Sequence, residues 1–183
     1  MLTEKSGYVY DYDRPVAVTF NVDDEGVRQG VYKTWHINDA NERIGEFQTF
    51  WYTAGVLNGK FKAYNVDGKL TEEGCYSNGK MHGVFREYLD GKLIVQCLYK
   101  NDLVDGKFTR WRDIDKGILE SNMHYKNGVP QWLMQFDENS MIKRVVYYDE
   151  NGAGVEEGEY KRTEDRVYFC KRTRDYYTEE IYA

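Results

Sequence analysis

A pattern of about 23 residues recurs along this chain, and it limits the possible folds more than any other feature of the sequence. Its best copies, at residues 59–64, 83–88 and 106–111, share the order G-x-F-x-x-[YW]. The glycines that open these copies are 24 and 23 residues apart, and a tyrosine closes each copy further along, at Tyr76, Tyr99 and Tyr125. Landmarks that recur in phase at this period predict a repeat architecture.

Weaker copies flank these three. One begins at Gly30 and closes at Tyr52 after an insertion at residues 38–45, and another places Pro130-Gln131-Trp132 where the glycine is expected. A degenerate copy starts at Gly158 and ends near Tyr176. We therefore predict an N-terminal β cap at residues 1–25, about five hairpin repeats at 26–148, and a degenerate repeat with a C-terminal cap at 149–183.

Turn chemistry identifies the repeat as a β-hairpin. Asp67-Gly68 and Asp90-Gly91 lie inside repeats, and Asn78-Gly79 and Asn127-Gly128 lie between them; such pairs favour two-residue turns with positive φ at both positions. The chain has 17 Tyr, 17 Gly and only 2 Pro, which suits strands joined by tight turns. The predicted fold is all-β, a single-layer antiparallel meander of about 10–14 strands that stacks hairpins as a solenoid. Its repeat-anchor glycines are Gly30, Gly59, Gly83, Gly106, Gly68 and Gly91.

Stacking of the hairpins predicts three rows of aromatic side chains. The first contains Phe61, Phe85, Phe108 and Trp132, the second Tyr64, Tyr88 and Trp111, and the third Tyr52, Tyr76, Tyr99, Tyr125 and Tyr148. Members of the first two rows are three residues apart, which places them on opposite faces of the sheet unless a bulge intervenes. The sequence leaves that question open.

Charge and cysteine content narrow the functional class. A net charge of −6 argues against nucleic-acid binding, and the basic cluster at Lys171, Arg172 and Arg174 is read as a solvated strand face. The first residues contain no apolar signal segment, and no apolar run reaches membrane-spanning length, so membrane association is not expected. Cys75, Cys97 and Cys170 are odd in number and widely spaced, which favours an intracellular, reducing location over a secreted disulfide framework.

No catalytic or cofactor signature is found. His36, His82 and His124 lack the spacing of metal-binding motifs, and the carboxylate pairs Glu72-Glu73, Asp23-Asp24 and Glu156-Glu157 are read as solvated edges. A nucleophile elbow and a phosphate-binding loop are both missing. We therefore expect no enzymatic activity, no metal or other cofactor, and no small-molecule substrate.

Residues 78–93, which read NGKMHGVFREYLDGKL, resemble the MORN repeat in the variant form of bacterial YwqK-type proteins and of large DNA viruses. The resemblance is good over residues 55–125 and recognisable over 26–148. It implies an elongated, twisted meander of hairpins that serves as a scaffold or contact surface. Pro130 and the insertion at 38–45 depart from the pattern.

These observations predict a non-catalytic module for protein–protein interaction, such as a structural part of a larger assembly like a viral particle. The alternative is an antitoxin or immunity protein that neutralises a basic toxin by binding it. Exposed Tyr and Trp are favoured at protein interfaces. The candidate interaction surface therefore comprises Tyr52, Tyr76, Tyr99, Tyr125, Tyr148, Trp111 and Trp132.

Overall fold

Strands joined by short turns make up the computed structural model, which describes residues 1–11, 14–162, 167–173 and 177–182. These residues form no helix, so the predicted all-β class is confirmed. Contacts divide the chain into a first unit, Met1–Lys92 with Lys100–Asp102, and a second unit, Leu93–Tyr99 with Leu103–Ala183. The seventeen strands of the described residues exceed the predicted number, because the predicted caps also form strands and two strands are two-residue segments.

The first unit contains strands that pair antiparallel in chain order, as a meander. They are β1 Thr3–Asp11, β2 Arg14–Val22, β3 Arg28–Ile37, β4 Arg43–Thr53, β5 Val56–Leu57, β6 Gly59–Tyr64, β7 Leu70–Ser77, β8 Lys80–Met81 and β9 Gly83–Leu89. The short strands β5 and β8 precede β6 and β9 and pair with β4 and β7, respectively. Each of β4 and β7 therefore pairs with two successive strands, a two-residue strand and then a longer one.

The second unit contains most of the next strand, and the strands that follow it also pair antiparallel in chain order. Its strands are β10 Lys92–Lys100, β11 Leu103–Asp113, β12 Ile118–Lys126, β13 Val129–Phe136, β14 Ile142–Tyr148, β15 Gly154–Arg162, β16 Val167–Thr173 and β17 Tyr177–Tyr182. The predicted basic cluster at Lys171, Arg172 and Arg174, the closing Tyr176 and the Cys170 thiol lie outside the residues whose side chains are described.

Turns between repeats are stacked by one recurring hydrogen bond. The Gly79 amide donates to the Leu57 carbonyl at 2.8 Å, and the Gly128 amide donates to the Val104 carbonyl at 2.8 Å. Both turns have positive φ at both central residues, 50° and 80° at Asn78-Gly79 and 50° and 81° at Asn127-Gly128, as predicted. The two-residue turn at Asp90-Gly91 is confirmed in the same way, with φ of 51° and 79°.

The turn at Asp67-Gly68 is not of the predicted two-residue type. Only Gly68 has positive φ, and its amide donates to the Asn65 carbonyl at 3.0 Å. The Asn65 Oδ1 atom accepts from the amides of Asp67 at 3.0 Å and Lys69 at 2.9 Å. Because an asparagine side chain can satisfy amides two and four residues ahead, it opens this connection into a longer turn.

All six predicted anchor glycines adopt positive φ, from 71° at Gly30 to 126° at Gly59. Gly59 has a second reason to be glycine. A β-carbon there would lie 2.9 Å from the β-carbon of Trp51, which packs over the glycine from the neighbouring strand. Positive φ is therefore common to the anchor glycines, and Gly59 adds a close contact between strands.

Candidate interaction surface

Aromatic rings form a continuous row across one face of the first unit. Register places Phe20 opposite Tyr32 and Tyr32 opposite Phe50, so the three side chains share that face. The row continues through Phe61, whose ring stacks on Phe50 with centroids 6.1 Å apart and on Phe85 with centroids 6.3 Å apart. We call this surface the aromatic face; its rings belong to Phe20, Tyr32, Phe50, Tyr52, Phe61, Tyr76 and Phe85.

The tyrosines that close the repeats of the first unit belong to the aromatic face and do not form the separate third row that the sequence predicts. Tyr52 lies opposite Gly30, and Tyr76 lies opposite Gly59. Each tyrosine tilts onto a ring two residues away on the partner strand. Tyr52 meets Tyr32 at 5.7 Å and Tyr76 meets Phe61 at 5.4 Å between centroids. Burial raises the pKa of Tyr32 and of Tyr76.

The second unit repeats this arrangement. Tyr125 lies opposite Gly106 and tilts onto Phe108, with centroids 6.2 Å apart. Burial raises the pKa of the Tyr125 hydroxyl, and the neighbouring Tyr148 adds to the increase. Tyr99, Trp111 and Tyr148, three further residues of the predicted surface in this unit, are half-buried.

Trp132 does not continue the phenylalanine row, contrary to the prediction. A one-residue shift in register between His124 and Tyr125 places Leu133 opposite Met123, which itself lies opposite Phe108. Trp132 therefore lies on the other face, where its ring stacks on His124 with centroids 5.9 Å apart. The shift accompanies the replacement of the anchor glycine by Pro130, which lies opposite Tyr125.

The sequence leaves open whether the first two aromatic rows lie on opposite faces of the sheet, and the position of Tyr88 answers this question for its repeat. Its hydroxyl donates to the Glu73 carboxylate at 2.8 Å, so Tyr88 lies on the face opposite Phe85. That face carries polar residues in direct register across five strands. Lys33 lies opposite Thr49, followed by Lys62, Glu73 and Arg86 on successive strands. We call this surface the charged face.

Carboxylates of the charged face are paired with cations. Lys33 bonds Glu46 at 2.7 Å, and Arg86 bonds Glu73 at 3.1 Å. Burial opposes ionisation of both carboxylates, but the hydrogen bonds from Lys33 and Thr49 to Glu46 outweigh it and lower the pKa of Glu46. Tyr88 and Arg86 have the same effect on the pKa of Glu73. A shallow depression of about 440 Å³ lies beside Glu73 and Arg86.

Two carboxylates on the aromatic face lack such partners. Glu72 in β7 lies directly opposite Glu87 in β9, in the row next to Phe61 and Phe85. Burial raises the pKa of Glu72, and the negative charge of Glu87 raises it further. No lysine or arginine of the described residues forms an ion pair with Glu72 or Glu87. The sequence did not reveal this pair, because it depends on the register of β7 against β9.

Replacing Glu72 and replacing the adjacent Glu73 should therefore change the stability of the fold at pH 7 in opposite directions. Glu72→Gln is expected to stabilise the fold at pH 7, because the raised pKa of Glu72 means that its ionisation disfavours folding. Glu73→Gln should destabilise the fold at pH 7. Folding lowers the pKa of Glu73, so the ionised carboxylate stabilises the fold at pH values above its ordinary pKa of 4.5. Each change should stay below about 1 kcal/mol, since solvent screens partly exposed charges.

Urea unfolding measured between pH 7 and pH 3 tests this pair. The gain from Glu72→Gln should disappear as the pH falls from the raised pKa of Glu72 towards the ordinary value of 4.5. The loss from Glu73→Gln should fade only as the pH falls below 4.5 towards the lowered pKa of Glu73. Changes of the same sign in both variants would contradict the assignment of the two residues to opposite faces.

A guanidinium group already lies against the aromatic face at one end. The Cζ atom of Arg28 is 5.2 Å from the ring centroids of Phe20 and Tyr32 and 5.6 Å from that of Tyr52. These distances are typical of cation–π contacts. The stacked turns place Leu57 at the equivalent position of the next repeat, because the Arg28 and Leu57 carbonyls accept the corresponding amides of Gly55 and Gly79.

Two of the histidines considered for metal binding lie in different surroundings. His36 stacks on Phe47, with ring centroids 4.5 Å apart, and His82 is exposed beside a turn. Within the described part of the chain, no three His, Cys, Asp or Glu side chains are grouped so that they could hold a metal ion. Glu72 and Glu73, considered as a carboxylate pair, lie on opposite faces. The described residues also contain no helix long and apolar enough to cross a membrane.

Fold and surface together define an all-β protein of antiparallel hairpin repeats with an aromatic and a charged face in its first unit. No protein-family model matches the chain, and no curated protein matches it either. The resemblance to the MORN repeat therefore remains a prediction from residues 26–148.

Proposed function

We propose that the chain is a non-catalytic module for protein–protein interaction, a scaffold of MORN-like repeats that works inside the cell or within a viral particle. The observation that supports this most directly is the aromatic face. Of its seven rings only Phe61 is buried, at 6% exposure, and the other six are partly accessible. Aromatic side chains that are partly accessible and held in a rigid row are typical of interface anchors.

Strand β9 offers a matched pair of variants for the test. Phe85 belongs to the aromatic face, and its neighbour Val84, 37% exposed, points to the other side of the same strand. The full chain, the Phe85→Gln variant and the Val84→Gln variant would be immobilised and exposed to extract from the native source. Circular dichroism and thermal unfolding would establish that both variants remain folded.

A partner that binds the wild-type chain and Val84→Gln but not Phe85→Gln would support the proposal. Mass spectrometry of that partner separates two roles: a multi-copy structural protein favours assembly, whereas a basic toxin favours neutralisation. Equal capture by all three chains would contradict a role for the aromatic face. Turnover of a small molecule by the purified monomer would contradict the non-catalytic assignment.

A further inference from the structure

Two lysines of the charged face, Lys60 and Lys62, form no ion pair with the residues that the structure describes. We propose that the shallow depression beside Glu73 and Arg86, which these lysines line, binds an acidic segment of a partner protein through them. This inference rests on the proposed function and adds a second contact surface, on the side of the sheet opposite the aromatic face.

Register brings the side chains of this depression together from three neighbouring strands. Lys60 lies opposite Cys75 and Lys62 lies opposite Glu73, between β6 and β7. Glu73 in turn lies opposite Arg86 of β9. The depression has a volume of about 440 Å³ and is shallow, so it suits side chains of an extended protein segment better than an enclosed small molecule.

The charge of this depression supplies the first argument. Glu73 is its only carboxylate, and Arg86 already bonds that carboxylate at 3.1 Å. Lys60 and Lys62 therefore add two positive charges that Glu73 does not neutralise, and both lysines are exposed. A carboxylate that a partner brings can accept charge-assisted hydrogen bonds from these lysines without displacing an ion pair of their own.

Exposed apolar side chains beside the lysines supply the second argument. Trp51 lies on the charged face, because it is two residues after Thr49, which lies opposite Lys62. It packs over Gly59, the residue before Lys60, and is 42% exposed. Tryptophan is the residue most typical of interface anchors. A partner segment can therefore bury an apolar side chain against Trp51 while its carboxylates reach the lysines.

Local charge selects the occupant. Salt screens charges beyond about 8 Å at physiological ionic strength, so a short acidic segment senses mainly the lysines of the depression. A nucleic acid or an anionic membrane extends much further and is repelled by a chain of net charge −6. A basic segment would be repelled by Lys60 and Lys62 themselves. An acidic protein segment is therefore the ligand that matches both the local and the overall charge.

Calorimetric titration of the full chain with a defined probe tests the inference. The probe is a short capped peptide in which glutamate alternates with serine around one central leucine, and its control carries glutamine in place of glutamate. The double variant Lys60→Gln/Lys62→Gln is compared with Lys107→Gln/Lys126→Gln, which removes the same charge from exposed strand positions of the second unit. We expect the first variant to bind the glutamate peptide about tenfold more weakly and the second to bind it within about twofold of wild type. Circular dichroism would establish that both double variants remain folded.

Several results would overturn the inference. Equal weakening in both double variants would show a general charge effect, and equal binding of the glutamine peptide would exclude recognition of carboxylates. Failure of the wild-type chain to bind the glutamate peptide at millimolar concentration would also overturn it. Tighter binding of a DNA oligonucleotide or of phosphatidylserine vesicles would assign the depression to another class of ligand. Sedimentation showing a dimer that is lost in Lys60→Gln/Lys62→Gln would replace the partner protein with a second copy of the chain.

The capture experiment separates failure of this inference from failure of the proposed function. A native partner that requires Phe85 but binds Lys60→Gln/Lys62→Gln as well as wild type would leave the proposed function intact and remove the acidic segment. A native partner that is indifferent to Phe85 would remove the role of the aromatic face, even where the glutamate peptide still binds. Val84→Gln keeps both lysines, so it remains a control for the loss of their charge.

Discussion

Replacing Phe61 by alanine is expected to lower the free energy of unfolding by about 3 kcal/mol or more, the usual cost of truncating a buried phenylalanine. Phe61 is 6% exposed and contacts three other rings of the aromatic face. Its centroid lies 6.1 Å from Phe50, 5.4 Å from Tyr76 and 6.3 Å from Phe85. Truncation therefore leaves a cavity at the centre of the row and removes contacts that join three hairpins.

Urea unfolding followed by circular dichroism measures this effect, and Tyr8→Ala is its control. Tyr8 is also aromatic and lies in a strand of the same unit, but it is 60% exposed. Its truncation should cost less than about 1 kcal/mol, as surface substitutions usually do. Similar losses in both variants would mean that Phe61 does not organise the first unit.

Gly74→Ala is the second substitution with a large expected effect, a loss of about 2 kcal/mol through overpacking. Phe61 lies opposite Gly74, and a β-carbon on Gly74 would come within 2.6 Å of the Phe61 Cε1 atom. The bare backbone of β7 lets the rings of Phe61 and Phe85, which come from the strands on either side, meet across it. Any side chain at Gly74 has to separate or displace them.

Gly7→Ala provides a matched control for Gly74→Ala in an equilibrium unfolding series. Both glycines lie within strands and neither has positive φ, but a β-carbon on Gly7 would meet no atom within 4 Å. Gly7→Ala should be neutral or slightly stabilising, because alanine loses less backbone entropy than glycine on folding. Equal destabilisation by both changes would show that the ring contact is not the cause.

A double variant tests the mechanism directly. Phe61→Leu removes the Cε1 atom that an alanine at residue 74 would strike, so the loss caused by Gly74→Ala should be smaller in the Phe61→Leu background. Contacting residues commonly show such coupling energies of about 0.5–3 kcal/mol. Strict additivity of the two losses would contradict the contact between Phe61 and residue 74.

Some features were predictable because they depend on residues close in sequence. Positive φ at Asn78-Gly79 and Asp90-Gly91 follows from the intrinsic conformations of asparagine, aspartate and glycine. The antiparallel meander follows because these turns alternate with strand-length segments at a regular period. Asp67-Gly68 does not form the predicted two-residue turn, because the Asn65 side chain, two residues before Asp67, accepts hydrogen bonds from the amides of Asp67 and Lys69.

Other features depend on register, which one bulge can change. The shift between His124 and Tyr125 moves Trp132 off the phenylalanine row, because side chains alternate between faces and a one-residue slip reverses them. For the same reason the closing tyrosines could not be assigned to a face from their spacing. Their tilt is a diagonal contact across two strands, as between Tyr76, which lies opposite Gly59, and Phe61.

The sequence by itself determined the hairpin repeat, its period, its anchor glycines and the aromatic inventory, because each follows from local backbone preference and composition. Only the tertiary structure decided which side chains share a face. It joined Phe61 to Tyr76, placed Gly74 beneath a ring, and set Glu72 against Glu87 while Glu73 bonds Arg86 on the other side. Cross-strand neighbours are distant in sequence, and their pairing is set by bulges and packing that no single repeat encodes.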